Sequence, residues 1–235
     1  MSQLSKTEFN FMTGRQDLNT TKDLVDFKGY LVHQGIVSSL NQLQQQAKKD
    51  IGADLQIISS YRSFERQNII WNNKVLDKRA VYDDHGNKLD PRDFSRRQFV
   101  EKIMRFSAIP GSSRHHWGTD IDIFDANKLH RQEVELVPSE CRPDGACGEL
   151  HLWLDEKINS SESFDFFRPY DQDLGGVSIE KWHLSFAPIA QEFYGQYTLD
   201  VFIKNIEQSH IEGKASILSD AEFFFKNFIA NITLA

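Results

Sequence analysis

Four side chains in two separated stretches constrain this chain more than any other feature. The first stretch runs Ser113-Arg-His115-His-Trp-Gly118-Thr-Asp-Ile-Asp122, and the second runs Glu180-Lys-Trp-His183. Together they offer two imidazoles, a carboxylate and a spare glutamate. A catalytic zinc takes three protein ligands of these types and keeps a further position for water. A free carboxylate beside that position can serve as base. For these groups to meet, the fold must lay the two stretches side by side.

Their local patterns allow this. Thr119, Ile121 and Ile123 alternate with Asp120, Asp122 and Phe124, and Trp182, Leu184 and Phe186 alternate with His183 and Ser185. Both alternations predict strands. His115 falls in the loop before the first strand, so that loop must fold back for His115 and Asp122 to converge. On a continuous strand Glu180 and His183 would face opposite ways. Glu180 is therefore expected in the turn entering the strand. His116 adjoins His115 and competes with it as ligand; the spacing favours His115. His33, His85, His130 and His210 have no ligand-like neighbours and read as surface or hydrogen-bonding residues. His151 falls on a predicted helix and reads as structural.

The rest of the chain predicts a mixed fold. Val32, Ile36, Leu40, Leu43 and Ala47 recur at helical spacing, predicting an amphipathic helix over residues 28–49 with Gly52 as its stop. Residues 54–60 read as a strand, and Ser63 as the cap of a helix over 64–76. Turn signals fill 77–95, a helix resumes over 95–106, and 127–148 is rich in loops. Leu150, Trp153, Leu154 and Ile158 suggest another helix, as do Val201–Gln208 and Ala221–Ile229. The phenylalanines from Phe223 to Phe228 read as core before partner surface. Residues 1–20 are polar and non-periodic, which predicts a loosely packed arm. The expected class is α+β: a small, mostly antiparallel sheet flanked by helices, with a helical C-terminal extension.

Composition narrows the partners. The formal net charge of -7, with scattered basic residues, argues against a nucleic-acid surface. No apolar run approaches the ~20 residues of a membrane-spanning helix. Met1 to Arg15 lacks the basic start and apolar stretch of a signal peptide. The expected location is the cytoplasm if the chain is complete, and the periplasm or cell envelope if a leader was removed. Cys141 and Cys147 do not match the paired Cys-x-x-Cys of zinc modules; a local disulfide and two free thiols both remain open. The sequence does not fix the oligomeric state.

The pattern Ser113-x-His115-x-x-Gly118-x-x-x-Asp122 with Glu180-x-Trp182-His183 resembles the VanY-type D-Ala-D-Ala carboxypeptidases, within the lysostaphin, D-Ala-D-Ala and hedgehog-like zinc folds. The segment from Ser60-Tyr-Arg62 to Gln67, and Pro110-Gly-x-Ser113, also look like that family. The resemblance implies one zinc held by His115, Asp122 and His183, with Glu180 as base. It implies that Arg62, Ser113 and Gln67 bind substrate, with Arg62 also stabilising the developing oxyanion. The expected substrate is a peptidoglycan stem peptide, trimmed by D,D- or L,D-carboxypeptidase action. An endolysin-type endopeptidase and a non-catalytic zinc-binding module are the alternatives. The corresponding division is an N-terminal arm over 1–28, a zinc peptidase domain over 29–186, and a C-terminal extension over 187–235 packed on the same domain. One departure stands out: the family usually has a small residue where this chain has Asp120. On a strand Asp120 would share a face with Asp122, about 7 Å away, where it could orient a ligand histidine or Arg62.

Overall fold

The computed structural model describes residues 4–235. In chain order it contains α1 (Lys6–Met12), β1 (Leu24–Phe27), β2 (Tyr30–His33), α2 (Val37–Ile51), β3 (Leu55–Ser59), α3 (Phe64–Val75) and α4 (Arg96–Met104). There follow β4 (Asp120–Asp125), α5 (Pro138–Cys141), α6 (Gly148–Asn159), β5 (Phe166–Phe167), β6 (His183–Phe186), α7 (Ala187–Gln196), α8 (Leu199–Glu207), α9 (Lys214–Ser219) and α10 (Ala221–Phe228). The β1–β2 hairpin stands apart from a four-stranded antiparallel sheet of order β3-β4-β6-β5. The two strands expected to carry the chemistry are therefore neighbours at the centre of that sheet.

The alternation along β4 and β6 divides the sheet into two working faces. Ile121, Ile123 and Leu184, with Leu55 and Ile57 of β3, pack against Leu40, Leu43 and Ala47 of α2 and Leu150 and Leu154 of α6. The opposite face carries Asp120, Asp122 and His183. A second apolar cluster joins α3 and α4 to the C-terminal helices through Trp71, Ile103, Phe202 and Phe224. Phe224 and Phe228 are buried there, as the core reading of the phenylalanine run expects. Among the described residues, no helix is long and apolar enough to cross a membrane.

Two expectations differ from the structure. The helix expected over 28–49 begins only at Val37, because a hairpin occupies residues 24–33. Lys28 and Gly29 both take positive φ, 54° and 87°, forming the two-residue turn that matches strand twist. Val32 thus belongs to a strand, although its spacing from Ile36 is helical. The expected stop holds: Gly52 sits at φ 71° and its N–H caps Lys48 O. The N-terminal segment, expected to be loose, instead forms α1, with Ser5 and Glu8 making a reciprocal capping box. Phe9 and Met12 are buried, and Trp117 Nε1 donates to Met12 O at 3.1 Å. A seven-residue helix burying two side chains leaves too little periodicity to detect. Residues 1–3 of the expected arm lie outside the described residues.

Candidate active site

The β4–β6 register sets the site. Asp122 lies directly opposite His183, and Asp120 opposite Ser185. Gly118, at φ 71°, ends the tight helical turn Arg114–Trp117 and lets the chain enter β4 with His115 folded back over it. His115, Asp122 and His183 then bring one ligand atom each to within 4.8 Å of one another. All three are buried.

Hydrogen bonds decide which atom of each ring faces the centre. His115 Nδ1 lies 3.0 Å from Ser60 O, leaving Nε2 toward Asp122 Oδ2 at 3.3 Å. His183 Nε2 lies 2.9 Å from Asp120 Oδ1, leaving Nδ1 toward Asp122 Oδ1 at 3.2 Å. Each outer nitrogen thus donates to an oxygen, as the partner of a metal-ligating imidazole does. Asp122 Oδ1 makes no hydrogen bond of good geometry despite its burial. A buried carboxylate flanked by two imidazole nitrogens, with one ligand atom of each within 4.8 Å of the others, suits a divalent cation. Their types match zinc.

The electrostatics agree. Burial opposes ionisation of Asp122, but His115 and His183 override it and hold the carboxyl well below the usual carboxylate range. Burial would likewise lower His183, yet Asp120 and Asp122 raise it to about 9. Asp120 and Asp122 thus face the two ring nitrogens of His183 from opposite sides.

Asp120 is fully buried and stands behind His183. Its Oδ1 accepts from Arg114 Nε at 2.7 Å as well as from His183, and its Oδ2 accepts from the Thr119 hydroxyl at 2.7 Å. It holds the outer nitrogen of His183 and makes no hydrogen bond or ion pair with Arg62. His116 is turned away from the centre. Its Nδ1 donates to Arg62 O at 2.6 Å and its Nε2 accepts from Gly111 N–H at 3.0 Å, tying two loops of the site together. His151 lies beside Arg168 on α6, outside the cleft.

Glu180 occupies the turn into β6, where His183 N–H returns to Glu180 O at 3.0 Å. Its carboxylate Oε2 lies 3.7 Å from His183 Nδ1. Burial, reinforced by the charge of Asp122, pushes its carboxyl up to about 7. A cleft of about 1140 Å³ opens over these groups, lined by Arg62, Ser113, Tyr170, Glu180 and Trp182 among others. The loops 79–86 and 134–139 form part of its walls. A bulge in β3 between Ile57 and Ser59 re-aims the strand end that supplies Ser59 and Ser60. Arg62 Nη2 donates to Ser59 Oγ at 3.0 Å and Nη1 to Gln67 Oε1 at 2.8 Å. Gln67 spends its other end on Ala108 O at 2.7 Å, so it braces Arg62 and does not line the cleft. Cys141 and Cys147 are both free thiols, away from the ligand set.

Sequence reasoning missed two participants. Tyr170 packs edge-on against His183, with ring centroids 5.1 Å apart. Arg114 backs the site by holding Asp120. Neither carries a local signal: Tyr170 lies in an irregular segment, and Arg114 is the unassigned position of the Ser113-x-His115 pattern.

The profile of the family described as VanY, D-alanyl-D-alanine carboxypeptidase, matches residues 29–189. An uncharacterized protein of Haemophilus influenzae is 34% identical over 124 residues, covering 52% of this chain and 92% of that protein. A D-alanyl-D-alanine carboxypeptidase of Enterococcus faecalis is 28% identical over 145 residues, covering 60% of this chain but only 43% of the Enterococcus protein. Among solved structures, VanYB in complex with D-Alanine-D-Alanine superposes with a TM-score of 0.51 at 23% identity, covering 77% of this chain and 86% of that one. That likeness speaks to the fold. The family profile spans most of the chain, including every residue of the ligand set, and so this protein belongs to the VanY D-alanyl-D-alanine carboxypeptidase family.

Proposed function

We propose that this protein is a zinc carboxypeptidase that removes the terminal D-alanine from peptidoglycan stem peptides, at a D,D or L,D bond. One observation carries the reading: His115 Nε2, Asp122 and His183 Nδ1 converge within 4.8 Å, and Glu180 stands beside them in the same cleft.

Those three side chains would hold the ion, and the buried Asp122 Oδ1, without a hydrogen bond, is free to serve as one of its donors. Bound there, zinc would supply Lewis-acid chemistry for the scissile carbonyl and would lower the pKa of a water toward about 7. Glu180, with a carboxyl near 7, can both accept and return a proton at neutral pH. Its carboxylate takes a proton from the attacking water and then passes it to the leaving amine nitrogen. Arg62, fixed by Ser59 and Gln67, presents a guanidinium that pairs with the C-terminal carboxylate of the peptide. Ser113 adds a hydroxyl on the same wall, and Tyr170 and Trp182 shield the centre from bulk water. The flanking loops, by walling the cleft, favour release of one residue over cleavage inside a longer chain.

The test is incubation of zinc-loaded protein with tetrapeptide and pentapeptide stems, followed by mass spectrometry. Loss of a single D-alanine is expected. Internal cuts would replace the reading with endopeptidase action, and no product from metal-loaded protein would overturn hydrolysis. Glu180→Ala should keep zinc and lose about 10²–10⁴ in turnover.

A further inference from the structure

Building on that peptidase reading, we propose that Lys74 and Arg79 form a second anion subsite in the cleft, so that the preferred substrate is a peptide bearing a second carboxylate besides its C-terminal one.

The placement follows from α3. Gln67, Ile70 and Lys74 recur at helical spacing along one face. Gln67 braces Arg62, whereas Ile70 and Lys74 line the cleft. Lys74 lies two turns beyond Gln67, about 10 Å along the axis, and a helical side chain leans back toward the N-terminus, here toward Arg62. Arg79, just past the helix, lines the same wall. The cation already assigned to the C-terminal carboxylate therefore has two further cations beside it.

Among the described residues, these two cations have no carboxylate within ion-pair distance. An ammonium has three donors, and Lys74 Nζ uses one, to Ser107 Oγ at 2.6 Å. Among the described residues, neither Lys74 nor Arg79 forms an ion pair, and the Arg79 guanidinium makes no hydrogen bond. Carboxylates are not scarce in a chain of net charge -7. Several of its other partly or fully buried cations have them: Arg105 pairs with Asp84 and Asp173, Arg114 with Asp120, Arg168 with Asp155, and Lys181 with Asp171. Arg15, like Arg62, is held by neutral side chains instead, through Asn205 and Ser209, and Arg79 is exposed on the cleft wall. Lys74 is partly buried, and burial first and the charge of Arg79 next push its ammonium down to about 8, with Glu180 acting the other way and Arg62 adding to the repulsion. Sequestered charge without a partner is costly, and an anion entering the cleft relieves that cost. Arg62 differs in having its guanidinium fixed by two protein side chains. Lys74 keeps two donors free for a ligand.

A stem-like peptide can supply the second carboxylate from either side of the scissile bond. One source is the residue before D-alanine, as in diaminopimelate against lysine. The other is the leaving residue itself, as in D-glutamate against D-glutamine. Two matched peptide pairs, each differing only in that carboxylate, separate the sources. The ratio of kcat/KM within each pair is measured for the wild type, Lys74→Met, Lys74→Arg and Lys74→Met with Arg79→Gln. Binding of the same peptides to zinc-loaded Glu180→Ala protein, with and without the two substitutions, is measured by calorimetry.

The diacid of one pair should be favoured by about tenfold or more, the scale of one charge-assisted hydrogen bond. That ratio should fall toward one in the double variant and persist in Lys74→Arg. Equal treatment of both members of both pairs by the wild type would overturn the subsite. So would a ratio that survives the double variant, or equal losses for diacid and monoacid in Lys74→Met. If no peptide is cleaved, calorimetry still decides: a retained diacid preference leaves the subsite standing while the peptidase reading falls.

Discussion

Replacing Asp120 tests the architecture behind the ligands, because two substitutions separate its charge from its hydrogen bonds. Both charged and imidazole donors converge on Oδ1, while Oδ2 meets only the Thr119 hydroxyl. In Asp120→Asn the amide oxygen can keep Arg114 and His183, and the amide nitrogen can donate to Thr119 after the hydroxyl rotates. Every contact survives and only the charge is lost. Asp120→Ala removes the acceptors as well as the charge, leaving Arg114, 6% exposed, with neither a counter-charge nor its hydrogen bond at this position, and His183 without its outer partner. Breaking such a pair costs about 3–5 kcal/mol, so the metal-free alanine variant should unfold at markedly lower temperature. The asparagine variant should stay folded yet bind zinc about 10- to 100-fold more weakly, the usual effect of losing the group behind a ligand histidine. At ~1.4 kcal/mol per tenfold, that is about 1.4–2.8 kcal/mol. Chelator competition at fixed pH gives the affinities, and thermal unfolding of metal-free protein gives the stabilities. Wild-type zinc affinity in Asp120→Asn would refute the claim that this carboxylate makes His183 a better ligand.

Zinc affinity should also depend on pH. The folded, metal-free His183 is raised from 6.5 to about 9, so its proton stabilises the fold fully below 6.5, and that contribution is lost as pH rises through about 9. Zinc displaces this proton, so apparent affinity should climb across the same window; titrations in buffers of different ionisation heat count the protons released, and a flat profile with none released would contradict the assignment. Arg62→Lys should lower kcat/KM by about ten- to hundredfold although charge is kept, because an ammonium cannot bridge Ser59 and Gln67 while facing substrate; near-normal kinetics would remove Arg62 from carboxylate recognition. Gly14→Ala should destabilise the fold by about 1–3 kcal/mol. Gly14 sits at φ 72° and an added Cβ would lie 2.3 Å from His116 Nδ1, so a melting temperature equal to the wild type's would show that this packing yields freely.

The metal set was legible in the sequence because zinc demands particular side chains, and two strands with the right alternation carried them. The turn position of Glu180 followed from a parity argument, and the structure places it there. The choice between His115 and His116 rested on spacing; the structure separates them by what each outer nitrogen touches. What stayed hidden depends on contacts between distant segments. Asp120 was recognisable as a departure, but its partner Arg114 was not, since no pattern marks a buried arginine six residues from its carboxylate. Gln67 resembled a substrate contact and proves to be a brace, a distinction made by Ala108 O on its far side. The hairpin ahead of α2 was missed because an accidental helical spacing of Val32 and Ile36 outweighed the turn formed by Lys28 and Gly29.

The pairing of Asp122 with His183 has a consequence for biogenesis. Two of the three coordinating groups become neighbours only once β4 and β6 have zipped together. Closing that long intervening loop must be repaid by contacts elsewhere. Before that pairing an ion could meet at most the local pair His115 and Asp122, so a complete three-group site is expected only once the sheet has assembled. Loading is therefore expected to be a late event, and starvation for the metal should leave an intact but idle polypeptide rather than a collapsed one.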